Sequence, residues 1–90
     1  MFEIRYKNLF KKDYKRLLKQ GFDDRFLIET LNYLVFGKEL PRKYKNHPLK
    51  GIYTGYFDCH IKPDVVLIYS FDETTLYLHR IGSHSDLFKK

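Results

Sequence analysis

Ninety residues, 43% of them apolar and 18% aromatic, suit a single folded domain over 1–90 with one modest core, and argue against disorder. Cys59 stands alone, which excludes an internal disulfide and fits a reducing cytoplasm; no apolar run resembles a signal peptide or approaches a membrane span. The net charge of +6 and a pI of 9.4 favour an anionic partner, nucleic acid ahead of an acidic protein or a membrane surface.

Phe2 to Lys7 alternates apolar and polar residues, the period of a half-buried strand. From Asn8 the period lengthens. Phe10, Tyr14, Leu17 and Leu18 share one helical face and Lys11, Lys12, Lys15, Arg16 and Lys19 fall elsewhere, either as a solvated surface or as phosphate contacts. Asn8 is the expected cap and Gly21 the stop. Asp23 and Asp24 suit the start of a second helix that buries Phe26 or Leu27, then Leu31, Leu34 and Val35, and ends at Gly37. The short link makes the two helices antiparallel. Residues 37–51 read as a basic loop in which Tyr44 sits among Lys38, Arg42, Lys43, Lys45 and Lys50. Such a loop either connects or stacks a base and holds phosphates.

Three strands follow, over about 53–61, 64–71 and 75–81, with Pro63 and Asp72-Glu73-Thr74 in the turns. The middle one is apolar nearly throughout and therefore central. The order predicts an α+β fold: a strand, two antiparallel helices, then a three-strand antiparallel meander. The result is a four-stranded sheet with the helices on one face and the other free for a site.

The polar stretch Asp58-Cys59-His60-Ile61-Lys62-Pro63-Asp64 interrupts apolar strand sequence and needs a reason. His47 and His84 lie in glycine-bearing loops on either side. We expect these three imidazoles to converge and do acid–base chemistry, because imidazole changes charge near neutral pH. His79, alternating with Tyr77 and Ile81, reads as structural. Zinc on Cys59, His60, Asp64 and His84 is disfavoured: adjacent strand residues point to opposite faces, and no paired ligand spacing exists. Cys59 reads as a buried small side chain, and no metal or cofactor is expected.

The segments His47-Pro48-Leu49-Lys50-Gly51, Gly55-Tyr56, Asp58 to Asp64, Leu67-Ile68-Tyr69 and Arg80 to Phe88 resemble, in order, the YafQ branch of the RelE-like toxins. The N-terminal half matches in pattern only. The resemblance implies a bacterial toxin of a type II toxin–antitoxin pair that cuts mRNA in the ribosomal A site and is silenced by its antitoxin. By that likeness His47, His60, Asp64 and His84 are catalytic, and Arg80 and Phe88 bind substrate or stabilise the transition state. Lys50 and Lys62 join them as candidate phosphate contacts. His84 would be the general acid, His60 or Asp64 the base or its orienter, and His47 would touch the scissile phosphate. The implied partners are mRNA, ribosomal RNA and an acidic antitoxin of ribbon-helix-helix type. Val65, Phe57 and Tyr53 depart from the family's usual aromatic, arginine and tryptophan, which bears on RNA grip and codon preference.

Strict alternation would put Arg80 beside Leu76 and Leu78 unless the strand ends before it or a bulge turns it. Two other functions fit the same fold: a protein-binding toxin resembling the ParE group, and a non-catalytic RNA-binding module.

Overall fold

The computed structural model describes residues 1–88. The chain forms β1 (Glu3–Tyr6), α1 (Asn8–Lys19), α2 (Arg25–Val35), β2 (His47–Pro48), β3 (Phe57–Lys62), β4 (Val65–Phe71), β5 (Thr75–Gly82) and α3 (His84–Leu87). Single 3-10 turns occupy Arg42–Tyr44 and Gly51–Tyr53. The sheet order is β1-β5-β4-β3-β2. β3, β4 and β5 make the expected antiparallel meander, while β1 runs parallel to β5. The expected α+β architecture is present, with one correction. The sheet has five strands rather than four, because His47–Pro48, read as loop, pairs with Phe57–Asp58.

β4 is central, as its apolar run requires, and Val65 to Tyr69 are all buried. α1 packs on β5 and α2 on β3. Their buried side chains, Phe10 and Leu17 from α1 with Leu27 and Leu34 from α2, meet Cys59, Ile61, Leu67, Leu76, Leu78 and Ile81. Each such side chain contributes about 1.5–3 kcal/mol on burial. Leu18 and Phe26, both candidates for the core, are instead 45% and 40% exposed. Gly21 and Gly37 end the helices at φ +91° and +66°, values that only glycine adopts without strain. Asn8 opens α1 as its first residue and Lys7 takes the cap position.

The second sheet face, expected to be free for a site, is partly covered. Val66 and Ile68 are covered there by Leu87 of α3, with Leu49, Tyr56 and Phe88 packed around them. α3 has four residues, too few to show a period, and Ser83 caps it by accepting the Asp86 N–H at 3.1 Å.

Candidate active site

Strand register alone gathers most of the polar residues. His47 lies opposite Asp58, Asp58 opposite Ile68, and Ile68 opposite Arg80, so one cross-strand row carries His47, Asp58 and Arg80. The next row runs His60, Val66, Gly82, and His84 starts α3 two residues beyond Gly82. Asp58 and His60 are two apart, on the face opposite Cys59 and Ile61 of the main core.

Arg80 reaches this face through a bulge. Ile68 pairs with Arg80 but Tyr69 pairs with Leu78, so His79 is the extra residue and reverses the alternation after Leu78. β5 has no β1 partner beyond Leu78. Asp13 of α1 fills that gap: its carboxylate accepts the Ile81 N–H at 3.2 Å, Arg80 Nε at 2.7 Å and Arg80 Nη2 at 3.1 Å. This forked contact holds the guanidinium and pushes its pKa up. Sequence reasoning missed Asp13, since an acid among lysines reads as surface. Its spacing from Phe10 and Leu17 on the buried face was the available signal.

Asp58 is the centre of the group and is 3% exposed. Burial pushes its carboxyl above the usual range, and the imidazoles of His47, His60 and His84 all lie close enough to oppose that rise when charged. Asp58 thus lies within electrostatic reach of all three expected histidines, with His47 in direct contact. Nδ1 of His47 is 3.1 Å from Asp58 Oδ1 and 2.9 Å from the Lys45 carbonyl. The carbonyl takes the aligned hydrogen bond, and Oδ1 has no aligned donor among the described residues. A carbonyl only accepts, so Nδ1 carries a proton and Nε2 is the acceptor nitrogen in the neutral ring. Lys45 presents that carbonyl from a left-handed backbone, φ 47°, rare outside glycine. His84 packs against Phe88, ring centres 4.6 Å apart, and Phe88 meets Tyr53 at 5.8 Å.

Other expected residues stand apart. Asp64 is exposed in the turn between β3 and β4 and makes no hydrogen bond or ion pair among the described residues. Lys50 is exposed before the 3-10 turn at Gly51–Tyr53. Lys62 points to the helix side, its Nζ 5.1 Å from the centre of the Phe26 ring. Tyr44 is buried and donates to Glu29 at 2.9 Å, so it stacks no base. His79 is structural in its contacts: Nε2 lies 2.7 Å from Ser70 Oγ, the ring stacks on Tyr56 at 4.2 Å, and burial pushes its pKa down. Cys59 is fully buried, its thiol pushed up to about 12. Among the described residues no three His, Cys, Asp or Glu side chains come together as metal ligands.

Residues 2–89 match the family described as the bacterial toxin of type II toxin-antitoxin system, YafQ. The chain belongs to the YafQ toxin family. The mRNA interferase toxin YafQ of Escherichia coli K12 is 37% identical over 87 residues, covering 96% of this chain and 95% of that one. A copper-bound mutant toxin from Helicobacter pylori superposes with a TM-score of 0.95 at 42% identity, over 98% of this chain and 100% of that one. The E. coli DinJ-YafQ complex gives a TM-score of 0.89 at 36% identity, over 98% and 99%.

Proposed function

We propose that this YafQ-family chain is a cytoplasmic endoribonuclease that cuts mRNA in the ribosomal A site and so stops translation. The observation that carries the reading is buried Asp58 in contact with His47 and within electrostatic reach of His60 and His84, with His47 and Arg80 on its cross-strand row. In the proposed reaction the RNA supplies the nucleophile. His60 takes the proton of the 2′-hydroxyl, and the 2′-oxygen attacks phosphorus. The bond to the 5′-oxygen breaks as His84 gives that oxygen a proton, leaving a 2′,3′-cyclic phosphate and a 5′-hydroxyl. No metal enters these steps. His47 and Arg80 face the phosphate and stabilise its added negative charge. Lys50 draws in the flanking backbone, Lys62, on the helix side, takes no part, and Phe88 holds the His84 ring. Acid–base help of this kind supplies about 10²–10⁴-fold in rate, and charge stabilisation adds a similar factor.

An acidic antitoxin is the matching partner, as a DinJ-YafQ complex exists for the E. coli relative. We place its ordering segment on the groove between α1 and α2, where Tyr14, Leu18, Leu27 and Ile28 are flanked by Lys11 and Lys15.

Primer extension on cellular mRNA after brief induction tests the function. The expected result is new 5′ ends at fixed codon positions in the reading frame, absent when the antitoxin is co-expressed. DNA damage without new mRNA ends would favour the ParE-like alternative.

A further inference from the structure

The second sheet face continues past the histidines to a cleft of which the catalytic reading uses only Arg80. It lies between β1, the start of α1 and the segment around Tyr53 and Tyr56, and measures about 580 Å³. Arg5, Lys7, Tyr53, Tyr56, His79 and Arg80 line it, and no carboxylate does. Arg5 pairs opposite Tyr77 in the parallel ladder and Lys7 Nζ lies 5.6 Å from the Tyr77 ring centre, so both cations stand on the site's face of the sheet. Both are exposed and neither makes an ion pair among the described residues. The aromatic wall is already ordered. Tyr56 stacks on His79 at 4.2 Å, and Tyr53 leans on Tyr56 at 6.1 Å and on Phe88 at 5.8 Å. Phe88 in turn touches His84, so whatever fills the cleft adjoins the proposed cut.

Free cations beside rings that are held in place suit a phosphate and an unpaired base, since stacking accepts any base and the cations follow the backbone. We propose that this cleft binds single-stranded RNA next to the cut, with Arg5 and Lys7 on the phosphates and Tyr53 as the stacking platform. The proposal deepens the nuclease reading and rests on its choice of RNA. The strand could come from the message or from ribosomal RNA, and the chemistry is the same for both.

The test measures binding of the full-length chain to two probes: a short 2′-O-methylated single-stranded RNA, which cannot be cut, and ribosomes without message. The variants are Arg5→Gln with Lys7→Gln, Tyr53→Leu, and the control Tyr53→Phe. Removing two cations should flatten the logarithmic salt dependence by about 1.4. Tyr53→Leu should weaken binding about fivefold or more, and Tyr53→Phe should stay near the parent, which separates stacking from damage to the fold. Loss on the oligonucleotide supports the cleft with message as its occupant. Loss on ribosomes alone supports it with ribosomal RNA. Unchanged affinity for both probes, or loss only toward the antitoxin, overturns it. Because the probe cannot be cut, a chain that binds normally but cuts nothing counts against the nuclease reading and leaves the cleft standing.

Discussion

Replacing Asp13 with Ala should be among the most damaging single changes to this fold, although the residue lies on a lysine-rich helix. The substitution removes the acceptor for the Ile81 N–H and for two nitrogens of Arg80. An orphaned buried N–H costs about 1–3 kcal/mol. Breaking a fully buried ion pair costs about 3–5 kcal/mol. The Arg80 side chain is 24% exposed, so water partly compensates it, and about 1–2 kcal/mol is the better figure for its share. The sum, about 2–5 kcal/mol, is a large part of the 5–15 kcal/mol typical of a small domain. At about 4–8 °C per kcal/mol, a mid-range loss of about 3 kcal/mol lowers Tm by about 12–24 °C. Thermal unfolding followed by circular dichroism reads this directly. Adding Arg80→Met to Asp13→Ala should recover part of the loss, because it removes the stranded charge. A fall of less than about 3 °C, or a second full loss on adding Arg80→Met, would refute the claim that Asp13 anchors the end of β5.

Asp58→Asn should stabilise the chain while slowing cutting. Because burial raises the Asp58 pKa, the native state holds that proton more tightly than the unfolded chain. Stability therefore falls as pH rises from the ordinary Asp value, about 3.9, through the raised one. The variant escapes this, so its gain of about 0.5–2 kcal/mol belongs to neutral pH and fades below about pH 4; a gain equal at all pH values would contradict the cause. Asn46→Ala should cost about 1–3 kcal/mol in urea unfolding, since it strands the buried Tyr69 hydroxyl that donates to Asn46, whereas adding Tyr69→Phe should give part of that back. Cys59, fully buried and with a thiol pushed up to about 12, should resist iodoacetamide at pH 8 until the chain unfolds; alkylation at the rate of a free thiol would show the core more open than described.

Much of the fold could be read from the chain because its periods are clean. The apolar run from Val65 to Ile68 marked the central strand, and Gly21 and Gly37 marked the helix ends. What stayed hidden depends on contacts distant in sequence. Nothing local tells that Glu3 to Tyr6 pairs with β5 in parallel, or that His47 and Pro48 extend the sheet. Leu18 and Phe26 look like core residues by composition, but each helix turns only part of its apolar stripe inward. At the site, the three histidines and the polar β3 stretch were visible as an anomaly in apolar surroundings. Asp58 lies within that stretch, yet its contact with His47 and its reach to the other two appear only once β2 and β3 pair. The conflict over Arg80 was visible as well, because alternation put a cation among leucines. The bulge at His79 and the carboxylate of Asp13 resolve it, and the second lies 67 residues away. Asp64 is the converse case: the motif that includes it is in the chain, and the turn leaves it exposed and without a partner among the described residues.

The most direct test of the catalytic account is a rescue experiment on His84. Single-turnover cutting is measured on ribosomes carrying a message with either a normal oxygen or a sulfur at the 5′-bridging position of the cut. With oxygen, His84→Ala should fall by about 10²–10⁴-fold. With sulfur the leaving thiolate needs no proton, so His84→Ala should recover most of that loss while His47→Ala and His60→Ala do not. Equal defects on both messages, or no defect on either, would contradict the assignment of His84 as the acid acting with His47 and His60 on one phosphodiester.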